Sequence, residues 1–198
     1  MQFEAKGEYR DIHLERNDEV TFTSLDGASM NDSVLRGVRI GAVSAKHVHM
    51  RRVRFEQCDL SNADWTECSL AEVIFTDCRL TGFRLTESLL QSCQFNDCKL
   101  DLAQLRFAEA VATRFDACEF READFYQATL REVQFSRCGF DRAEFYRTRA
   151  ERVVDFRTSQ IAGMRLGIGD LKGAMFSEQQ LITLAPLLAD LAGFRIAD

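Results

Sequence analysis

One proline in 198 residues is the scarcest component of this chain. Irregular loops are normally punctuated by proline, so few of them are expected. No apolar run is long enough to cross a membrane, and residues 1–18 mix acidic and basic side chains without the apolar stretch of a signal peptide. A cytoplasmic protein without a membrane partner is the expectation. Positive charge is short as well: 25 Lys and Arg stand against 31 Asp and Glu, a net charge of −6. That balance argues against a sequence-independent binder of nucleic acid, which needs a basic footprint.

Groupings that carry chemistry are missing too. The three histidines, His13, His47 and His49, have no further ligands near them in the chain to build a metal site. Gly167-Ile168-Gly169-Asp170 lacks the strand-to-helix context of a phosphate loop. No Ser-His-Asp or Cys-His arrangement can be assembled, so neither an enzyme, nor a cofactor, nor a small-molecule substrate is expected.

What the sequence does have is a period. From Leu25 to Ala150, 26 consecutive fifth positions are apolar. Two residues before each runs a second series, beginning Thr23, Ala28, Ser33 and Val38, that holds only Ala, Cys, Ser, Thr and Val apart from Phe83. The 20 acidic and 18 basic residues between positions 23 and 152 all avoid both series. Charges sit where water reaches them, so the two series face inward and the three intervening positions face out. A helix repeats at 3.6 and a strand at 2.0, and neither accounts for a strict five.

A longer period fixes the shape. Phe55, Phe75, Phe95, Phe115 and Phe135 are 20 residues apart, and so are Cys58, Cys78, Cys98, Cys118 and Cys138. Identical residues at a fixed spacing form columns when coils stack, and 20 residues is four repeats, so each coil has four sides. Thirty-one repeats make about eight coils, or roughly 38 Å of stacked strands. All seven cysteines fall in the small inward series and read as buried core thiols, in keeping with a reducing compartment.

Residues 23–176 are therefore expected to form the solenoid. After Ala150 the register slips by one and resumes at Phe156, Ile161, Leu166, Leu171 and Phe176, which places a bulge near Glu151. Residues 1–22, where the count puts Arg10 and Glu15 on core positions, are expected to form an irregular N-terminal cap. Residues 177–198 change character. Ser177 with Gln180 fits a capping box, and Leu181, Leu184, Leu187, Leu188 and Leu191 form an apolar stripe at helical spacing. Pro186 should kink or split that helix, Gly193 can end it, and Phe194 and Ile196 suggest a short strand. Such a stripe either plugs the last coil or pairs two chains.

The order of small residue, polar residue, Leu or Phe and two polar residues resembles the pentapeptide-repeat family, written A(D/N)Lxx. Close matches are Cys58-Asp59-Leu60-Ser61-Asn62, Ala63-Asp64-Trp65-Thr66-Glu67, Ala123-Asp124-Phe125-Tyr126-Gln127 and Ala143-Glu144-Phe145-Tyr146-Arg147. The resemblance implies an all-β fold, a right-handed quadrilateral parallel β-helix. The chain length and the leucine-rich C-terminus are similar to those of the gyrase-protecting members: the Qnr-type and mycobacterial fluoroquinolone-resistance proteins and the albicidin- and microcin-immunity proteins. That likeness implies a homodimer joined through Leu181, Leu184, Leu187, Leu188, Leu191, Phe194 and Ile196. It also implies a DNA-like rod that binds DNA gyrase or topoisomerase IV and protects it from quinolones or related toxins. The acidic run Asp59, Asp64, Glu67, Glu72 and Asp77 is then the candidate contact surface. Two features depart from the pattern: side by side, the outward charges of residues 23–152 sum to −2, 0, 0 and 0, and Lys46, His47, His49, Arg51, Arg52 and Arg54 form a basic run. A scaffold for a different protein partner is the alternative.

Overall fold

In the computed structural model, which describes residues 2–19, 21–167 and 169–194, each five-residue repeat makes one side and one corner of a coil. The second residue after each large one turns left-handed, from Asp32 at φ 52° through Asn62 at φ 57° to Arg152 at φ 58°. A positive φ at that place is what a type II turn requires, and at some corners the turn is closed by a hydrogen bond, as from Ala28 N to Leu25 O at 2.9 Å. Most of these residues carry side chains, which costs each about 1–2 kcal/mol. Hydrogen bonds between coils offset the cost: the Asn62 amide donates to Thr81 O at 2.9 Å, and the Glu67 amide to Thr86 O at 2.9 Å.

The coils stack with their strands in parallel, giving a solenoid of about eight turns. Side one stacks Ser29–Asn31, His49–Arg51, Ser69–Ala71, Leu89–Gln91 and Glu109–Val111, with Met50 paired to Leu70 and Leu90 to Ala110. Side two stacks Val34–Arg36, Arg54–Glu56, Ile74–Thr76, Gln94–Asn96 and Arg114–Asp116, with Phe75 paired to Phe95. Sides three and four are joined by single parallel bridges, for example Asp59 to Arg79 and Asp64 to Arg84.

The interior follows the two series. Phe55, Phe75, Phe95, Phe115 and Phe135 stack with centroids 5.0, 4.6, 4.7 and 5.0 Å apart, and the column continues through Phe156 to Phe176. The small series has a second use. Cys58 Sγ donates to Leu35 O at 3.2 Å, Ser88 Oγ to Trp65 O at 2.8 Å and Thr148 Oγ1 to Phe125 O at 2.7 Å. Cys, Ser and Thr are thus small enough to fit and still supply a donor to a buried carbonyl of the coil below. Phe83, the exception, packs edge-on against Trp65 at 5.0 Å. The Trp65 indole N–H sits among rings without a hydrogen-bond acceptor.

The bulge lies where the register slip placed it. Arg131 pairs with Glu151 but Val133 with Val154, which leaves Val153 outward and 54% exposed. The first coil differs from the expectation. The N-terminal segment joins the solenoid through strands Gln2–Phe3, Glu8–Arg10 and His13–Leu14. Tyr9 pairs with Met30 and Leu14 with Leu35, 21 residues apart rather than 20. One extra residue before Leu25 therefore moves Tyr9 and Leu14 into the places that the count of five gave to Arg10 and Glu15. Phe3, fully buried, stacks on Phe22 at 4.8 Å and closes this end of the core.

Candidate interaction surfaces

Helix α1 (Glu178–Leu191) crosses the far end of the solenoid. Ser177 Oγ accepts from the Gln180 amide, and the Ser177 amide donates to Gln180 Oε1 at 2.8 Å, completing the capping box. The same glutamine closes the last coil: Gln180 Nε2 donates to Phe156 O and to Ser159 O, each at 2.7 Å. Two corner carbonyls at the end of the stack thereby gain a side-chain donor. The helix runs through Pro186 as one element, so of the kink or split that the proline predicts the split does not occur. The missing proline donor frees the Ile182 carbonyl, and Ile182 is 65% exposed, so water can take that place.

The leucine stripe divides in two. Leu184 is buried and Leu187 packs half-buried against the core, so both serve their own chain. Leu181, Leu188, Leu191 and Phe194 are exposed, and so is Ile182, which the stripe omitted. Ile182 adjoins Leu181 in sequence, so inspecting neighbours of the stripe would have found it. Ile196 lies outside the described residues, and the expected terminal strand lies there in part.

The acidic candidates do not share a face. Asp59 sits on side three and Asp64 on side four, while Glu67, Glu72 and Asp77 occupy three successive corners of one coil. Four of the five meet a base of a neighbouring coil: Asp59 with Arg79, Asp64 with Lys46 and Arg84, Glu67 with His47, Glu72 with Arg51. The Ser61 hydroxyl holds the Asp59 carboxyl below the usual range. Asp77 instead lines a groove of about 650 Å³ between the N-terminal segment and side three, with Glu15, Arg16, Arg39, Asp59 and Arg79. Within the basic run Lys46 and Arg51 are ion-paired in the same contacts and Arg52 with Asp32, while His49 and Arg54 take no part in these pairs. Ion pairing between coils recurs along the rod, as in Arg36 with Glu56, Arg121 with Asp101 and Arg142 with Glu122.

All seven cysteines are buried and unbridged. Burial pushes the Cys68 thiol up to about 12 and the Cys93 thiol up to about 11, so neither is a nucleophile near neutral pH. Among the described residues no group of His, Cys, Asp or Glu is placed to hold a metal ion. No helix among them is long and apolar enough to cross a membrane.

A family model described as a pentapeptide repeat region matches residues 48–125 and 88–166, together more than half of the chain. Among solved structures, a trypsin-treated form of QnrB1, described as a plasmid-mediated fluoroquinolone resistance protein, is similar with a TM-score of 0.52 at 15% identity. The match covers 96% of this chain and 100% of that one. HetL, described as a pentapeptide repeat protein involved in heterocyst differentiation regulation in the cyanobacterium Nostoc sp. strain PCC 7120, matches with a TM-score of 0.42 at 18% identity, over 89% of this chain and 91% of that one. No curated protein matches the chain.

Proposed function

Because the chain belongs to the pentapeptide-repeat family, we propose that it is a non-enzymatic rod that pairs end to end and binds a type II topoisomerase, protecting DNA gyrase from quinolones or related toxins. The observation that carries the reading is the division of labour in α1. Gln180, Leu184 and Leu187 close the solenoid, while Leu181, Ile182, Leu188, Leu191 and Phe194 are left as an apolar surface at its tip. An apolar face beyond what capping needs fits a second copy of the same face, which twofold symmetry places against it. The fold shared with QnrB1, itself described as a fluoroquinolone resistance protein, supports gyrase as the partner to test.

The experiment is a supercoiling assay with purified gyrase, a quinolone and this protein at micromolar concentration. Recovery of supercoiling supports the reading, and unchanged inhibition together with no binding to gyrase removes it. One observation favours the second reading, a scaffold for another protein. Four of the five acidic candidates are paired with bases and they do not share a side, so these residues do not form the acidic stripe by which a DNA mimic would be recognised.

A further inference from the structure

Corner positions are the most exacting on the outside of this rod, because their backbone is left-handed. Along the coils they hold polar or charged residues, Gly or Ala, with two large apolar exceptions among the described residues: Leu102 at φ 59° and Phe107 at φ 58°. Leu102 and Phe107 are 50% and 45% exposed and gain no core packing in return. They bound the same side of the same coil, side four, with Gln104 and Arg106 between them. A bulky side chain that is both strained and exposed is retained at a cost to folding, and such places mark function more often than structure.

The surroundings are built for recognition. Phe107 meets the Tyr126 ring edge-on at 5.7 Å, and the Arg106 and Arg147 guanidinium carbons lie 4.9 and 5.8 Å from that ring's centre. Arg147 Nη1 donates to the Tyr126 hydroxyl at 3.1 Å, and Tyr146, one coil on, is 40% exposed. Beside Leu102 a trough of about 460 Å³ opens over Gly82. Arg106 is paired with Asp124, whereas among the described residues no carboxylate pairs with Arg147. Side four is divided in charge. Its early coils carry Asp26, Asp64, Glu67 and Glu87 against Lys46 and Arg84, and the coils from 103 onward carry Arg106, Arg147 and Arg165 against Asp124 and Glu144.

We propose that Leu102, Arg106, Phe107, Tyr126, Tyr146 and Arg147 form a docking surface for a protein segment that presents apolar side chains next to a carboxylate. The apolar groups fill the space between the two corners, and the carboxylate takes Arg147. Tyr and Arg held rigid by one another are the composition of binding hot spots. This surface rests on the reading of the chain as a protein-binding rod, though not on gyrase being the partner.

The test uses the intact protein and a displayed library of random dodecapeptides. Selection should enrich peptides with Leu, Phe or Trp beside Asp or Glu, and Leu102→Asn with Phe107→Asn should weaken them at least tenfold. Arg147→Gln should erase the preference for acid while keeping the apolar one. The asparagine pair should raise the melting temperature by about 2 °C or more, because Asn tolerates the corner conformation. No enrichment, enrichment that survives the asparagine pair, or a lowered melting temperature would each overturn the proposal. A null result with gyrase alone would remove the topoisomerase reading and leave this surface standing.

Discussion

Phe75 and Phe95 face each other one coil apart, their rings 4.6 Å between centroids and 10° from parallel. Their backbones are paired in register, so the ring stack and the sheet ladder reinforce each other at the same two residues. Phe95→Ala leaves a gap between Phe75 and Phe115, and the rigid coils cannot collapse to fill it. The expected loss is about 3–5 kcal/mol, read from denaturant unfolding. The single tryptophan is the probe. Trp65, buried against Phe55 and Phe83, should emit at short wavelength until the solenoid opens. A loss below about 1 kcal/mol would mean that the column is not packed as described.

The two halves of the leucine stripe should respond differently. Leu184→Asp buries a charge against the last coil and should lower thermal stability of the single chain. Leu181→Asp with Leu188→Asp changes only exposed positions and should leave the melting curve of the coils in place while light scattering falls to the mass of one chain, 22.6 kDa. If the exposed pair melts the solenoid and leaves the mass unchanged, the helix is purely a cap.

Thiol chemistry reads the interior directly. The seven cysteines are buried and unbridged, and Cys68 and Cys93 hold their protons far more tightly than a free thiol. An aromatic disulfide reagent at pH 8 should find almost no reactive thiol in the native protein and seven after guanidinium is added. Rapid native reaction of several thiols would put the small series on the outside.

Acid should loosen the rod in a defined window. The Ser61 hydroxyl holds the Asp59 carboxyl down, and the Arg157 guanidinium does the same for Asp155. A carboxylate whose folded value is depressed contributes stability above its unfolded value, near 3.9, and that stability is lost as pH falls through the folded value. The melting temperature should therefore hold steady from about pH 8 to 5 and decline below about pH 4. Replacing both residues with Asn should flatten that decline. An equal decline in the double variant would place the acid sensitivity elsewhere.

Most of the interior was legible because each inward residue answers to one rule that repeats every five places, and a single breach, such as the slip after Ala150, stands out against so many copies. The first coil was not legible for the same reason. Only Tyr9 and Leu14 remain there to mark the register, too few to show that one residue had been added before Leu25. The outer surface obeys no comparable rule. Asp59 and Glu72 look like parts of one acidic run in sequence, yet the corners send them to different sides and Arg79 and Arg51 neutralise them from adjoining coils. Those partners lie about one coil away in the chain, so reading neighbours in sequence hides them. Leu102 and Phe107 could have been flagged as apolar residues in outward register. Their left-handed backbone is visible only in the structure.

Small-angle X-ray scattering in dilute solution tests at once whether the chain is a four-sided rod and whether it is joined to a second copy at its helical end. The expected result is a scattering mass of two chains and the profile of a rod, with a longest dimension near twice that of one stack of about eight coils at about 4.8 Å each. A compact profile, or the mass and length of a single chain across the whole concentration series, would contradict it.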